Sequence, residues 1–573
     1  MKVALLRLFF LFGIVVLFAC AQPIRVLEKD VTSQTNHVTL SVDFSKSANA
    51  TGEVFDFFDV SVRTQNASVN SIPAKFDRRA KVNTVRMLGG FFNKDLQADT
   101  YKWDGENYVY DFKQATNRID AWLGNDWDIF QIVLDNPPWA FQRGMVFVDE
   151  ANGKDYLSKD ARGVYGNVLP PNDPVAWRMY ISAFIQHLVN TYGEEMVRSW
   201  RFRVGSEIDT RPQHWAATRQ EFFDHYKNTV EAVHAVLPEA KVGTQFREAS
   251  FKGRYVDYTG NTEDAYAPHF VEWAKANDVH YDFIAISYYP HIHKPQELDM
   301  ALVYAHDMAP VQRHPDWSPE ASFEIHEFKL ISKMQRGGFV SVATSHSSSF
   351  FAMMAKMVLE NGIAEVFQWG NVRKGEYIAE AMTQLALHSM VGNHLFVNQR
   401  TGEPKIANNR VDGIFTQKPD KQGFDMLLFN FNATDLSYQA PESIRLVLNV
   451  DFAEGTAFNY RLANIDASNN HNDLFYADFS EQLISQSKGG WLVDDIHATS
   501  SPNKRLSNAG QIAFTQAKQS YIKNNRLLWS DWQSLKVSTN GSGQSQIVIE
   551  STLASFGVQR IEVLLADTVV EIF

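Results

Sequence analysis

Phe323-Glu324-Ile325-His326-Glu327-Phe328-Lys329 holds two carboxylates and a histidine inside a short apolar frame. Phe323 and Ile325 alternate with Glu324 and His326, which is the period of a β-strand. Glu327 falls where that strand ends. In a chain of alternating strands and helices, a charged side chain at the carboxyl end of a strand sits where (β/α)8 barrels carry their chemistry. Taken alone, the stretch also fits a surface strand end with two solvated glutamates. A second carboxylate, Glu207, stands in a similar setting upstream and favours the chemical reading.

The surrounding pattern extends that frame. Val82 to Gly90 reads as a strand that brings Arg86 close to its carboxyl end. Asp128 to Leu134 is a near-continuous apolar run, as a parallel sheet buried on both faces requires. It runs into Asp135-Asn136-Pro137-Pro138-Trp139, where two prolines end the strand and hold Trp139 at a loop mouth. Residues 140–172 form a long polar loop. Asp173-Pro174 caps a helix whose apolar positions Trp177, Tyr180, Ile181, Phe184 and Leu188 recur at helical spacing. Ile119 to Leu123 begins an earlier helix. Trp200 to Gly205 is a strand with Ser206-Glu207 at its end. Thr218 and Glu221 open the next helix at capping-box spacing. Lys241 to Phe246 is a strand, and so is Asp282 to Tyr288, followed by Tyr289-Pro290-His291. A last strand, Ala364 to Gly370, carries Gln368 and Trp369.

This alternation predicts an α/β chain: a (β/α)8 TIM barrel over residues 41–398. No glycine fingerprint for dinucleotides follows the first strand, which weakens an open nucleotide-binding sheet. After residue 400 short alternating runs separated by turns take over, such as Met426 to Phe431 and Ile444 to Leu448. They predict a C-terminal β-sandwich over 399–573, with room for a second small module around 465–530.

With 573 residues, 45% of them hydrophobic, the chain can bury more than one core. Its net charge of −12 argues against nucleic acid as a main partner. The single cysteine, Cys20, excludes an internal disulfide and a cysteine zinc cluster. Residues 1–20 combine a basic start with an apolar run from Leu8 to Ala19, which fits an export signal. Leu17-Phe18-Ala19-Cys20 resembles a bacterial lipobox, which implies lipidation of Cys20; plain cleavage near Ala21 is the alternative. Ala21, where an aspartate would signal inner-membrane retention, implies the outer membrane. Residues 21–40 then act as a tether, and the membrane is a partner only through that lipid.

Two carboxylates on different strand ends suit glycoside hydrolysis. One donates a proton to the leaving oxygen and the other attacks the anomeric carbon, when they stand about 5–5.5 Å apart. Glu207 is the expected acid/base and Glu327 the expected nucleophile, with Glu324 in support. Arg86 is placed to keep the nucleophile ionised, Tyr289 to hydrogen-bond it, and Trp369 to floor the sugar site. Asn136, Trp139, Ser206, His291 and His326 complete the candidate substrate contacts. The histidines lack a carboxylate pattern that suits a metal, and no cofactor is expected.

The order Arg86, Pro137-Pro138-Trp139, Glu207, Tyr289, Glu327, Trp369 resembles the retaining glycoside hydrolases of clan A, and within it family 39, which includes β-xylosidases and α-L-iduronidases. Leu427 to Asn432, Tyr460 to Asp466 and Asn470-His471-Asn472 are similar to that family's sandwich. The resemblance implies the acid/base at the end of strand four and the nucleophile at the end of strand seven. One departure stands out. The family's acid/base follows an asparagine that contacts the sugar 2-hydroxyl, and here the residue is Ser206. A plant or algal poly- or oligosaccharide is the expected substrate. The rival readings are a glycan-binding surface lipoprotein on a barrel that has lost activity, and a polysaccharide lyase, which would need a Tyr/His/Arg centre.

Overall fold

The computed structural model describes residues 37–568 apart from 62–79, 83–84, 87–100, 104–107, 125–126, 135–145, 150–153, 158–161, 164–165, 172, 212–213, 249–254, 257–261, 264, 293, 329, 331–332, 336–337, 341–343, 370–378, 485–490, 495–503 and 523–526. Among these residues, no helix is long and apolar enough to cross a membrane.

Parallel strands run through the larger part of the chain. Phe58–Ser61 pairs with Val366–Trp369, which pairs with Ser322–Phe328, then Phe283–Tyr288, Lys241–Phe246, Arg201–Val204 and Gln131–Leu134. On its other edge Phe58–Ser61 pairs with Ala80–Val82, which pairs with Trp127–Ile129. Val85–Arg86 pairs with Gln131–Leu134. The register closes the ring. Ala80 faces Trp127 and Val82 faces Ile129, while Val85 faces Ile132 and Arg86 faces Val133. The offset is the same throughout, so each pair of short segments is one strand. The sheet therefore closes into an eight-stranded parallel barrel, as the strand–helix alternation predicts, with strands one to eight in chain order: Phe58–Ser61, Ala80–Val82 with Val85–Arg86, Trp127–Ile129 with Gln131–Leu134, Arg201–Val204, Lys241–Phe246, Phe283–Tyr288, Ser322–Phe328 and Val366–Trp369.

Helices return the chain between strands. Pro174–Tyr192 begins where the Asp173 carboxylate accepts the amides of Val175 and Ala176, and ends at Gly193 with φ 85°. The Thr218–Glu221 capping box is present. Trp177, Tyr180, Ile181, Phe184 and Leu188 form the buried stripe of the first of these helices. Each such side chain contributes about 1.5–3 kcal/mol on burial. Lys113–Leu123 is a helix that ends at the segment where the sequence pattern began one. The long polar loop carries two hairpins, Val146–Asp149 with Lys154–Leu157 and Arg162–Gly163 with Gly166–Asn167.

The sandwich claims more of the chain than expected. Val38–Asp43, expected at the start of the barrel, pairs with Asn398–Thr401 and in parallel with Glu442–Asn449. Ala50–Glu53 joins the second sandwich sheet through His394–Phe396. The barrel thus starts at Phe58, not at residue 41. The physical reason is legible in Val38–Asp43, where buried and half-buried residues alternate. That suits a sheet with one wet face, whereas barrel strands are buried on both. The second sheet also packs on the barrel. Leu427, Phe429 and Phe431 join the barrel core, while Met426 and Leu428 fill the space between the sandwich sheets. The module weighed around 465–530 is a mainly helical insertion, with helices His471–Asp478, Ser480–Ile484 and Asn508–Ile522.

Candidate active site

Glu207 follows strand four at a sharp turn. Gly205 has φ 73°, and a Cβ there would lie 2.5 Å from Ile208 Cδ1, so only glycine fits. Glu207 itself has φ 48°. A non-glycine residue in that region stores about 1–3 kcal/mol and persists only where its surroundings hold it. The holding contacts come from both neighbouring strands: Gly205 N–H donates to Leu134 O, and Ile208 N–H to Gln245 O.

Glu327 reaches the barrel interior through a β-bulge. Ala285 faces Glu324 and Ile286 faces Ile325, but Ser287 faces Glu327. His326 is the extra residue. Strict alternation would put Glu324 and Glu327 on opposite faces, because they are three apart. The bulge restores Glu327 to the face of Glu324, a known use of bulges beside functional sites. Glu327 is 2% exposed.

Tyr289 joins the two carboxylates. Its hydroxyl donates to Glu327 Oε2 at 2.5 Å. Burial, then the charges of Glu327 and Glu207, hold the phenol well above its usual pKa. It therefore remains a donor, and a donor stabilises the ionised form of Glu327. Arg247, just past the end of strand five, lies with its guanidinium 4.8 Å from the Tyr289 ring centre. Its Nε is 3.7 Å from Glu207 Oε1. His214 Nδ1 stands 3.8 Å from Glu207 Oε2 and donates to Ser206 O at 2.9 Å. Asp209 accepts the backbone amides of Arg247 and Glu248, which fastens the loop after strand four to the end of strand five. Burial raises its carboxyl to about 7 against the pull of those amides.

Beneath this site the barrel interior is polar. Arg201 grips Glu324 with two hydrogen bonds, 2.8 and 2.7 Å, and lies 3.8 Å over the Phe283 ring. Phe283 fits because Gly243 faces it: a Cβ on Gly243 would stand 2.5 Å from the ring. His326 Nε2 is 2.6 Å from Glu324 Oε2. His326 Nδ1 faces Arg203 Nη1 at 3.2 Å, and an arginine can only donate, so Nδ1 accepts and Nε2 carries the proton. Burial lowers the His326 pKa to about 4 despite the bond to Glu324, which keeps the ring neutral. Burial opposes the Glu324 charge, but Arg201 and then His326 bring its carboxyl down to about 2.

Glu324→Gln breaks this buried pair and leaves Arg201 uncompensated. The expected cost is about 3–5 kcal/mol of unfolding free energy at pH 7. A carboxyl whose folded pKa is depressed stabilises above its unfolded value of 4.5, and the gain is lost as pH falls through about 2. Urea unfolding of the two proteins at pH 7 and near pH 3 should therefore show the gap narrowing in acid. A gap that is absent at pH 7, or that widens in acid, contradicts the pairing.

Tyr289 hydrogen-bonds Glu327 and lies close enough to Glu207 for that charge to act on its phenol. Arg86 lies at the carboxyl end of strand two opposite Val133, and Trp369 at the end of strand eight opposite Ser61. His291 follows Tyr289 on the same loop and is tied to Glu297 through its amide and Nδ1. Two expected sugar contacts are corrected. His326 is 0% exposed and packed between Phe283 and Phe367. Ser206 is also 0% exposed, and its Oγ accepts from Arg203 at 2.7 Å. Both point into the interior network, not at a substrate. Asn136, Trp139 and Cys20 lie outside the described residues. Arg247 is a functional neighbour not expected from the sequence, although it obeys the same strand-end rule as the glutamates. The alternation Arg201-Phe202-Arg203-Val204 is the signal of a polar inner face.

Known proteins resemble this chain in sequence and fold. Residues 152–316 match the profile of glycosyl hydrolases family 39. An α-1,4-L-rhamnosidase of Formosa agariphila is 34% identical over 434 residues, 74% of this chain and 84% of its own. A β-xylosidase of Caldicellulosiruptor saccharolyticus is 30% identical over 125 residues, 22% of this chain and 23% of its own. The fold is that of a monomeric β-xylosidase from Caulobacter crescentus CB15, with a TM-score of 0.56 at 16% identity, over 92% of this chain and 99% of that one. Since the long rhamnosidase match, the family profile and the barrel with its sandwich all converge, the chain belongs to glycoside hydrolase family 39 and is a retaining glycosidase of clan A.

Proposed function

We propose that Glu327 is the nucleophile and Glu207 the acid/base, acting on an α-L-rhamnoside within a polysaccharide or its oligosaccharides. The observation that carries the roles is Tyr289, hydrogen-bonded to Glu327 and beside the cation that attends Glu207. Glu327 attacks the anomeric carbon as its bond to the leaving oxygen breaks, and Glu207 passes a proton to that oxygen. Glu207, now a carboxylate, takes a proton from water, which attacks the same carbon and releases Glu327. The Tyr289 bond holds Glu327 ionised before attack and re-forms fully when it leaves. Arg86 and Trp369, at the ends of strands two and eight, border the sugar.

The rhamnoside reading is supported by the 34% identity to the Formosa agariphila enzyme across most of both chains. The shorter β-xylosidase match supports a β-D-xyloside as the second reading. Turnover of aryl α-L-rhamnopyranosides against aryl β-D-xylopyranosides decides between them. We expect the rhamnoside to be preferred at least tenfold, with the first-formed product keeping the α configuration. Preference for the xyloside would overturn the substrate and leave the carboxylate roles standing. We further propose that residues 1–20 direct export to the outer membrane and that Cys20 carries the lipid anchor, supported by the Leu17-Phe18-Ala19-Cys20 motif. Cys20→Ser should abolish palmitate labelling, and a labelled variant would refute it.

A further inference from the structure

Strands four and seven are not neighbours in the barrel; strands five and six lie between them. Their side chains nevertheless meet across the interior in two layers. Arg201 binds Glu324, and two residues further along each strand Arg203 meets His326. The upper layer runs on, because Arg203 Nη2 donates to Ser206 Oγ at 2.7 Å. The result is a continuous chain of hydrogen bonds: Arg201 to Glu324, Glu324 to His326, His326 to Arg203, Arg203 to Ser206. Two of its members, His326 and Ser206, are adjacent in sequence to the two carboxylates. His326 is the bulge residue that turns Glu327 inward, and Ser206 is bonded to Glu207.

We infer that this buried relay sets the placement of Glu207 relative to Glu327, with Arg203 and Ser206 as positioning residues. The inference rests on the roles proposed for the two glutamates. Ser206 sits between two residues with left-handed backbone, Gly205 at φ 73° and Glu207 at φ 48°. Such a turn needs contacts that hold it. Ser206 is held at both polar groups, its hydroxyl by Arg203 and its carbonyl by His214. Arg203 is 0% exposed, so its two-pronged guanidinium is fixed by packing as well as by its acceptors. The serine that stands in the family's asparagine position therefore works inward. A displacement of about 1 Å at a reacting group costs on the order of 10²-fold in rate, which is the scale on which the relay acts.

The test uses leaving groups. A misplaced proton donor slows substrates that need protonation and spares those that do not. Ser206→Ala, Arg203→Met and Glu207→Ala are compared on phenyl and 2,4-dinitrophenyl α-L-rhamnopyranosides, or on the corresponding β-D-xylopyranosides if those are the substrates. Ser206→Ala is expected to lose about tenfold in kcat/KM on the phenyl glycoside, and Arg203→Met about 100-fold, each with a loss at least fivefold smaller on the dinitrophenyl glycoside. KM should stay within twofold. Equal losses on both substrates, or none, in folded Ser206→Ala would overturn the relay while Glu207→Ala still discriminates between the leaving groups. If Glu207→Ala fails to discriminate, the role of Glu207 falls and the relay with it. Ser206→Ala removes one small buried oxygen, so it decides the matter even if Arg203→Met does not fold.

Discussion

Glu327→Ala is expected to lower kcat roughly 10⁴- to 10⁶-fold, the scale on which loss of a covalent nucleophile acts. The protein should remain folded, because Glu327 lies above the Arg201–Glu324 pair and is not part of it. Truncation leaves space beside the anomeric carbon and frees the Tyr289 hydroxyl, which now donates to Glu327. A small anion can fill that space. Azide should therefore restore turnover and yield a glycosyl azide of inverted configuration, since one displacement replaces two. Full activity in the variant, or a rescued product of retained configuration, would remove Glu327 from the role. Glu324→Ala gives the contrast: it damages the buried network and should gain nothing from azide.

Glu207→Ala has the second largest expected effect, and it depends on the substrate. General acid assistance contributes about 10²- to 10⁴-fold. A phenyl glycoside should lose that factor in kcat/KM, while a dinitrophenyl glycoside should form the covalent intermediate at close to the original rate. Water then lacks its general base, so the intermediate accumulates and kcat falls for both. Steady-state rates together with the burst of released phenol separate the two steps. Arg247 and His214 lie 3.7 and 3.8 Å from the Glu207 carboxylate; the arginine does not release its proton, and the His214 Nδ1–H is engaged by Ser206 O. Equal loss on all leaving groups with no burst would contradict the assignment.

The barrel was legible because strands and helices alternate along the chain, and Asp128 to Leu134 reads as the near-continuous apolar run of a strand buried on both faces. The boundary with the sandwich was not. Val38–Asp43 shows its half-buried alternation in the sequence, yet its partner Glu442–Asn449 lies some four hundred residues away, and pairing over that distance leaves no local trace. Glu327 was placed at a strand end, and it stands there. Its inward direction comes from the bulge at His326, which alternation alone would have reversed. Ser206 and His326 carry groups that suit sugars, so residue type argued for substrate contact. Their actual partner is Arg203, 123 positions from His326, and only the closed barrel brings the two strands face to face.

The proposed double displacement requires Glu327 to become covalently attached to the sugar. Incubation with a fluorinated glycosyl fluoride of the preferred sugar, which slows release of the intermediate, followed by protease digestion and mass spectrometry, tests it directly. The peptide containing Glu327 should gain the mass of one fluoroglycosyl group. A label on Glu207 or Glu324, or an unlabelled enzyme that turns the reagent over with inversion, would contradict it.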